Sequence, residues 1–404
     1  MSIIVQKYGG SSVATIERME NVARRIISAK EAGHKVVVVL SARGDTTDDL
    51  LKLANEANPN GSNRERDMLL SVGEQISVAM MAMILQRMGH GAKSLTARQA
   101  GIMSTSEYSN ARITNIDTPR IIMELDAGNI VLIAGFQGET AHGDVATLGR
   151  GASDTTAVAL AAVLNAKRCE IYTDVEGVYS ADPRIVPNAL KLPEISYFEM
   201  LEMAASGAKV LASRSVGLAR KYGVQIVVLS SMAEAEGTVI KEEAKVEGIF
   251  VSGVVSNKNI ARFSLSGVKD APGVWFKMFS VMNKKDIAID FVYQRKLADG
   301  TKDISFTVET ERLQDTKSVL EENVHVLNFL GYKVNENVAK LSVVSSGMAT
   351  NPGIPAMMCE ALFDAGINID SLSTSETRIS AIIDKKDIDK GTQVVHDKFF
   401  GVMP

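Results

Sequence analysis

The chain has 404 residues, 46% hydrophobic and 23% charged, with 44 Lys and Arg against 48 Asp and Glu for a formal charge of -4. At roughly 150 residues per domain this makes about 2.7 domains of ordinary globular composition, which excludes a single small core, disorder and collagen-like repetition. The near-neutral balance lacks the clustered Lys and Arg of a nucleic-acid binder, and Cys169 and Cys359 are too isolated for a disulfide framework or structural zinc.

The chain opens on an apolar run, Ile3-Ile4-Val5, without the basic and apolar segments of a leader. No apolar run nears the 18 residues of a membrane helix, Val78 to Leu85 being only eight. A soluble cytoplasmic protein with no membrane or nucleic-acid partner is expected. Through residue 230, short β-branched runs alternate with amphipathic stretches, which predicts a layered α/β domain on a largely parallel sheet. The predicted strands are Ile3 to Lys7, Lys35 to Leu40, Ile130 to Ala134, Cys169 to Thr173 and Val224 to Leu229. Between them the pattern predicts helices over Ser12 to Ala32, closed by Gly33, and Arg66 to Met88, closed by Gly89.

Three glycine-bearing loops follow strands or open helices. In Lys7-Tyr8-Gly9-Gly10-Ser11-Ser12 the glycines let backbone N–H groups approach an anion, Lys7 adds a cation and Ser12 an N-cap. Phosphate would suit it; so would a plain strand-to-helix turn. Thr147 to Thr156 (TLGRGASDTT) feeds the helical run Ala157 to Ala166, and Arg150 could grip a carboxylate bidentately, or Ser153 could simply cap the helix. Tyr172 to Arg184 (YTDVEGVYSADPR) leaves a strand end, where open α/β sheets bind nucleotides, though Asp182-Pro183 also suits an ordinary turn. Lys209 could add a phosphate contact. Two more segments, Ser41 to Thr47 and Val72-Gly73-Glu74, complete the set; Glu74 sits among apolar residues and should meet a cation, a substrate ammonium or a structural arginine.

Residues 231 to 248 turn polar and charged, the natural boundary. Beyond it Ala271-Pro272-Gly273-Val274 recurs as Asn351-Pro352-Gly353-Ile354, an offset of 80 residues. The same offset relates Gly267 to Gly347, Met278 to Met358, Ile287 to Ile367, Ile289 to Ile369 and Asp290 to Asp370. Each copy reads as strand, Pro-Gly turn, amphipathic helix and Ile-x-Ile strand, an internal duplication.

Taken together, residues 7–12, Gly-Arg-Gly-x-Ser-Asp-Thr-Thr at 149–156, the 172–184 motif and Ser373-Thr374-Ser375-Glu376 resemble the aspartate kinases of the amino-acid kinase family, in the same order and over essentially the whole chain. The resemblance implies a three-layer α/β/α kinase domain at 1–230, a linker at 231–248, and a regulatory region at 249–404. That region would hold two ferredoxin-like α+β ACT domains, the first at about 264–337 and the second formed by about 249–263 plus 338–404.

It also implies transfer of the ATP γ-phosphoryl group to the β-carboxylate of L-aspartate, opening the lysine, threonine and methionine (diaminopimelate) pathway under end-product feedback. Lys7, Arg150 and Asp154 would be catalytic. Ser41, Thr47, Glu74, Arg150, Gly151 and Ser153 would bind aspartate. Lys7, Tyr8, Gly9, Gly10, Thr173, Asp174, Tyr179, Asp182, Pro183, Arg184 and Lys209 would bind ATP, with Mg²⁺ carried by the phosphates rather than by protein ligands.

In the repeats, Asp270, Pro272, Gly273, Val274 and Gln294 of the first copy and Asn368, Ile369 and Asp370 of the second would bind a lysine or threonine effector. The ACT domains would also make a homo-oligomer. The chain departs from the family pattern at Ala152, at Val210 to Ser213 after Lys209, and at Trp275 and Arg295. Two alternatives stand beside this reading, an amino-acid kinase acting on another acid and a non-catalytic amino-acid sensor. The presence of Lys7, Arg150 and Asp154 argues against the second.

Overall fold

The computed structural model describes residues 1–149, 151–243, 251–348 and 351–401. They form two compact units. The first comprises 1–179, 190–205 and 209–247; the second comprises 180–189, 206–208 and 248–404.

The first unit is built on an eight-stranded sheet, in spatial order Glu194–Ser196, Thr238–Lys241, Ile226–Ser230, Arg168–Thr173, Ile3–Tyr8, Lys35–Leu40, Ile130–Ala134 and Ala92–Leu95. The last six are mutually parallel, and five of them are the strands expected from their β-branched runs. Side chains alternate between faces. Tyr8, Val36, Val38, Leu40 and Leu132 pack with Ile16–Glu31 and Val72–Arg87 in one core, while Ala152–Val163 covers the Ile3–Tyr8 strand from the other side. A smaller four-stranded sheet, Ile113–Ile116, Ile102–Ser104, Gln137–Glu139 and Val145–Thr147, is held by buried Asp67. That carboxylate accepts from the N–H and hydroxyl of both Ser109 and Thr147.

Several boundaries differ from expectation. The first helix starts at Ile16, not Ser12, because extended Thr15 caps it by accepting from the Arg18 N–H; Ser12 lies in a preceding 3-10 turn, Gly10–Val13. Helix Ala152–Val163 starts before the expected Ala157, at Gly151 in the left-handed region with φ 72°, so Ser153 lies inside the first turn rather than at the cap. The segment expected as a linker at 231–248 supplies the strand Thr238–Lys241, which pairs antiparallel with Ile226–Ser230. Gly33 and Gly89 do close their helices with φ 86°. Asn63–Leu70 and Val72–Arg87 run as one helical stretch, long and apolar enough by composition to match a membrane span, contrary to expectation. More than half of its apolar window is buried within the protein, together with Asp67 and Glu74.

The second unit carries two βαββαβ layers. Ile260–Lys269, Asp290–Lys296, Thr301–Glu309 and Gly331–Asn335 form the first sheet, backed by helices Val274–Asn283 and Leu313–Glu322. Val338–Val344, Ser371–Thr374 and Arg378–Asp384 form the second with Gly253–Asn257, a strand from before the first repeat, backed by Gly353–Asp364 and Ile388–Phe400. The boundary expected at 263/264 lies instead before Ile260, because that strand pairs with Thr301–Glu309 from its first residue. Residues related by the offset of 80 share environments: Met278 and Met358 are fully buried, as nearly are Ile287 and Ile367.

Candidate active site

Parallel strands end together, so the loops after Tyr8, Leu40, Ala134 and Thr173 share one edge of the sheet. On one face of the first strand, Lys7 Nζ lies 2.7 Å from Asp154 Oδ1 in the first turn of Ala152–Val163, both side chains nearly buried. Anions and carboxylates are favoured at such a helix start. A methyl group on Gly9 would sit 3.6 Å from Lys7 Nζ, and one on Gly10 would sit 2.6 Å from the Ala42 carbonyl oxygen. Only glycine allows this approach, which the Gly44 N–H to Gly10 carbonyl bond (3.0 Å) closes. The Gly9-Gly10 loop therefore forms a backbone cradle beside an ammonium group, a fit for phosphate oxygens.

The second cluster surrounds Ser41 to Thr47. Glu74 Oε1 accepts from the Ala42 N–H at 3.0 Å, while its buried Oε2 has no partner among the described residues. Burial pushes its carboxyl up to about 7, against the Ala42 bond. No cationic side chain hydrogen-bonds to its Oε2 among the described residues. Gly73 lets this helix close on Ala42, whose Cβ would lie 2.8 Å from a methyl there. Half-buried Ser41 donates its N–H to the Tyr8 carbonyl, and Thr47 lies in the first turn of Thr46–Ala57.

Ser153 packs on Gly135 at the end of the Ile130–Ala134 strand, its Oγ 2.7 Å from where a Cβ would be. Gly151 faces Ala212, 3.2 Å from the same construction, which brings the loop carrying exposed Lys209 beside the Gly151 helix start. Arg150 lies outside the described residues. Two residues that sequence reasoning missed hold this region: Arg214 donates to the carbonyls of Leu148 and Ala111, and Gly135 makes room for Ser153. The Ala-Gly step at a strand end was the only available signal for Gly135; nothing local marked Arg214.

Of the nucleotide candidates, Thr173 donates to exposed Asp174, and half-buried Tyr179 bridges to Lys191. Tyr8 is corrected: strand alternation turns its ring into the opposite core, fully buried and stacked on Tyr172 at 4.5 Å, so only its backbone is at the loop. Asp182, Pro183 and Arg184 belong to the second unit, where Arg184 pairs with Asp182 at 2.7 Å. A cavity of about 930 Å³ opens near Arg24, Arg25, Glu170 and Ser231, lined by Tyr172 but by neither Lys7, Asp154 nor Glu74.

In the repeats, Asp270 pairs with Lys296 at 3.0 Å and Lys302 at 3.2 Å, and both hold its carboxyl below the usual range. Gln294 accepts from the Trp275 indole N–H at 3.2 Å, and Gly273 starts its helix at φ 90° beside Pro272 and Val274. Asn368 and Ile369 lead into Asp370, which pairs across the repeats with Arg262. The matching Asp290 pairs with Lys340, whose side chain is 2% exposed.

The amino acid kinase family matches residues 2–230 and the ACT domain matches residues 341–399. The aspartokinase of Mycolicibacterium smegmatis is 47% identical over 405 residues, covering 99% of this chain and 96% of that one. Among solved structures, E. coli aspartokinase III in complex with aspartate and ADP (R-state) superposes with a TM-score of 0.84 at 23% identity, covering 98% and 100% of the two chains. The same enzyme in complex with lysine and aspartate (T-state) gives 0.74 at 24%, covering 98% and 99%.

Proposed function

The chain belongs to the aspartokinases of the amino acid kinase family and is an aspartate kinase, and from that premise we propose how its residues divide the work of phosphoryl transfer. ATP is the donor and the β-carboxylate of aspartate the acceptor. A carboxylate is already ionised at neutral pH, so no general base is required. Catalysis then rests on alignment and on neutralising charge as the phosphoryl group moves.

Lys7 and the Gly9-Gly10 amides take the transferring phosphoryl oxygens, with Asp154 holding the Lys7 ammonium in place. Glu74 receives the aspartate ammonium, Ser153, Gly151, Ser41 and Thr47 position its body, and Arg150 meets its α-carboxylate. Thr173, Asp174, Tyr179, Asp182, Pro183, Arg184 and Lys209 hold the nucleotide. Mg²⁺ would enter with the nucleotide beside Lys7 and the Gly9-Gly10 cradle and would supply further charge neutralisation. Lysine, alone or with threonine, is the effector of the duplicated region, a reading that the lysine complex of the E. coli enzyme supports. The ACT layers also join copies of the chain into an oligomer.

The observation that carries the proposal is the Lys7–Asp154 pair set against a glycine cradle, with a buried Glu74 carboxylate whose Oε2 has no partner among the described residues. Incubation with ATP, Mg²⁺, hydroxylamine and either aspartate, glutamate or N-acetylglutamate tests it. Hydroxamate should form with aspartate alone. Equal yields with N-acetylglutamate would remove the ammonium role of Glu74.

A further inference from the structure

Within the second unit, the loop 180–189 is gripped at both ends by helix Ile388–Phe400. At its start the Ser180 hydroxyl lies 2.9 Å from His396 Nε2, and both residues are fully buried. The Ser180 carbonyl also accepts from the Val254 N–H at 2.7 Å, in the strand Gly253–Asn257. At the far end the Asn188 amide donates to Asp397 Oδ1 at 3.0 Å and its carbonyl accepts from Gln393 at 3.2 Å. Between these pins the Asp182 carbonyl accepts from the N–H groups of Ile185 and Val186, and Val186 is fully buried. The loop is thus a small rigid turn. It displays Asp182 and Arg184, ion-paired with each other, at its exposed tip.

A buried imidazole is a costly way to fill a core, since leucine would do so without a polar atom to satisfy. What a histidine adds is direction. His396 stacks on Phe400 with ring centroids 4.6 Å apart, which fixes the plane in which Nε2 meets Ser180. Burial holds its pKa below the ordinary value, against the pull of Asp397, so the ring that meets Ser180 is neutral.

We propose that His396, with Asp397, is a positioning residue for nucleotide binding: acting through Ser180 and Asn188, the last helix of the second repeat sets the place of Asp182 and Arg184. This rests on the reading of that loop as part of the nucleotide site.

Steady-state kinetics of the full chain test this, with Ser180→Ala, His396→Leu, His396→Gln and Arg184→Ala measured in parallel. Ser180→Ala and His396→Leu should raise KM for ATP about five- to tenfold with KM for aspartate and kcat within twofold. His396→Gln, whose amide reaches the Nε2 position, should recover most of the loss. If Arg184→Ala raises KM for ATP and the Ser180 and His396 variants lower only the melting temperature, the positioning role is overturned while the nucleotide reading stands. If Arg184→Ala leaves KM for ATP unchanged, the nucleotide reading of the loop falls and this proposal with it. Ser180→Ala removes one oxygen atom and leaves His396 in its pocket, so it remains informative if His396→Leu fails to fold.

Discussion

Lys7 Nζ and Asp154 Oδ1, 2.7 Å apart, join the end of the first strand to the first turn of a helix that lies 147 positions later in the sequence (154 minus 7). The pair places one positive charge at the mouth of a glycine loop and holds it there. Removing the carboxylate should let the ammonium swing, and a misplacement of about 1 Å costs about a hundredfold in rate. Asp154→Asn should therefore lower kcat by about that factor while leaving KM for both substrates within a few-fold. A variant with unchanged kcat would show that Lys7 needs no such anchor.

With Glu74 as the partner of the aspartate ammonium, aspartate binding should depend on pH. Its carboxyl ionises at about 7 because of burial, and only the ionised form can receive an ammonium. KM for aspartate should rise as pH falls through 7, with KM for ATP flat. In Glu74→Gln the profile should flatten at a KM raised about ten- to a hundredfold, the worth of a charge-assisted hydrogen bond. The sign for stability runs the other way. A carboxyl whose folded pKa is raised from 4.5 to about 7 favours folding in its protonated form, so the stability it confers is full below pH 4.5 and lost as pH rises past 7. Without substrate, Glu74→Gln should be the more stable protein at pH 8, by on the order of 3 kcal/mol in urea denaturation.

Gly10→Ala tests the cradle without touching charge. The new methyl would sit 2.6 Å from the Ala42 carbonyl oxygen and 3.1 Å from that of Gly44, both backbone atoms. The two loops must separate, so KM for ATP and for aspartate should rise together, with Lys7 and Glu74 intact. Wild-type kinetics in this variant would show that the two loops act independently.

Lys340 predicts a stability effect in the regulatory repeats. Its ammonium is buried and paired with Asp290; burial raises the Asp290 carboxyl, but the Lys340 charge and hydrogen bond, the Phe291 N–H and the Arg378 charge together hold the group below its ordinary range. Asp290→Ala removes the ion pair of a buried ammonium, but the Asp290 side is half exposed and Glu309 stays in reach of the Lys340 charge, so the cost should be about 1 to 3 kcal/mol. Lys340→Met in the same chain should restore most of the loss, as read from chemical denaturation. If the single variant is as stable as wild type, Lys340 has another partner.

The main architecture was legible because it is written in local chemistry. Five buried strands are β-branched runs, Gly33 and Gly89 stop helices by a backbone geometry open to glycine, and the duplication repeats Pro-Gly and Ile-x-Ile at one spacing. What was not legible depends on which distant segments meet. Thr238–Lys241 looks like a polar linker because it is only four residues long, begins on Thr238 and ends on Lys241, and gains its pairing on both sides from other strands, and Thr15 rather than Ser12 caps the first helix because a 3-10 turn intervenes. In the site, Glu74 was readable as a buried charge needing a cation. The burial of Tyr8 on the wrong face required knowing which strand residues face which helix, and the docking of Ser180 on His396 joins residues with no shared local pattern.

The role of Lys7 as the cation on the transferring phosphoryl group is tested most directly by Lys7→Ala, with kcat measured by hydroxamate formation and substrate dissociation constants by calorimetry. The expected result is a kcat lower by about a hundred- to a thousandfold, as for loss of one transition-state donor, with both dissociation constants within a few-fold and an unchanged melting temperature. Turnover within twofold of the wild-type enzyme would contradict it.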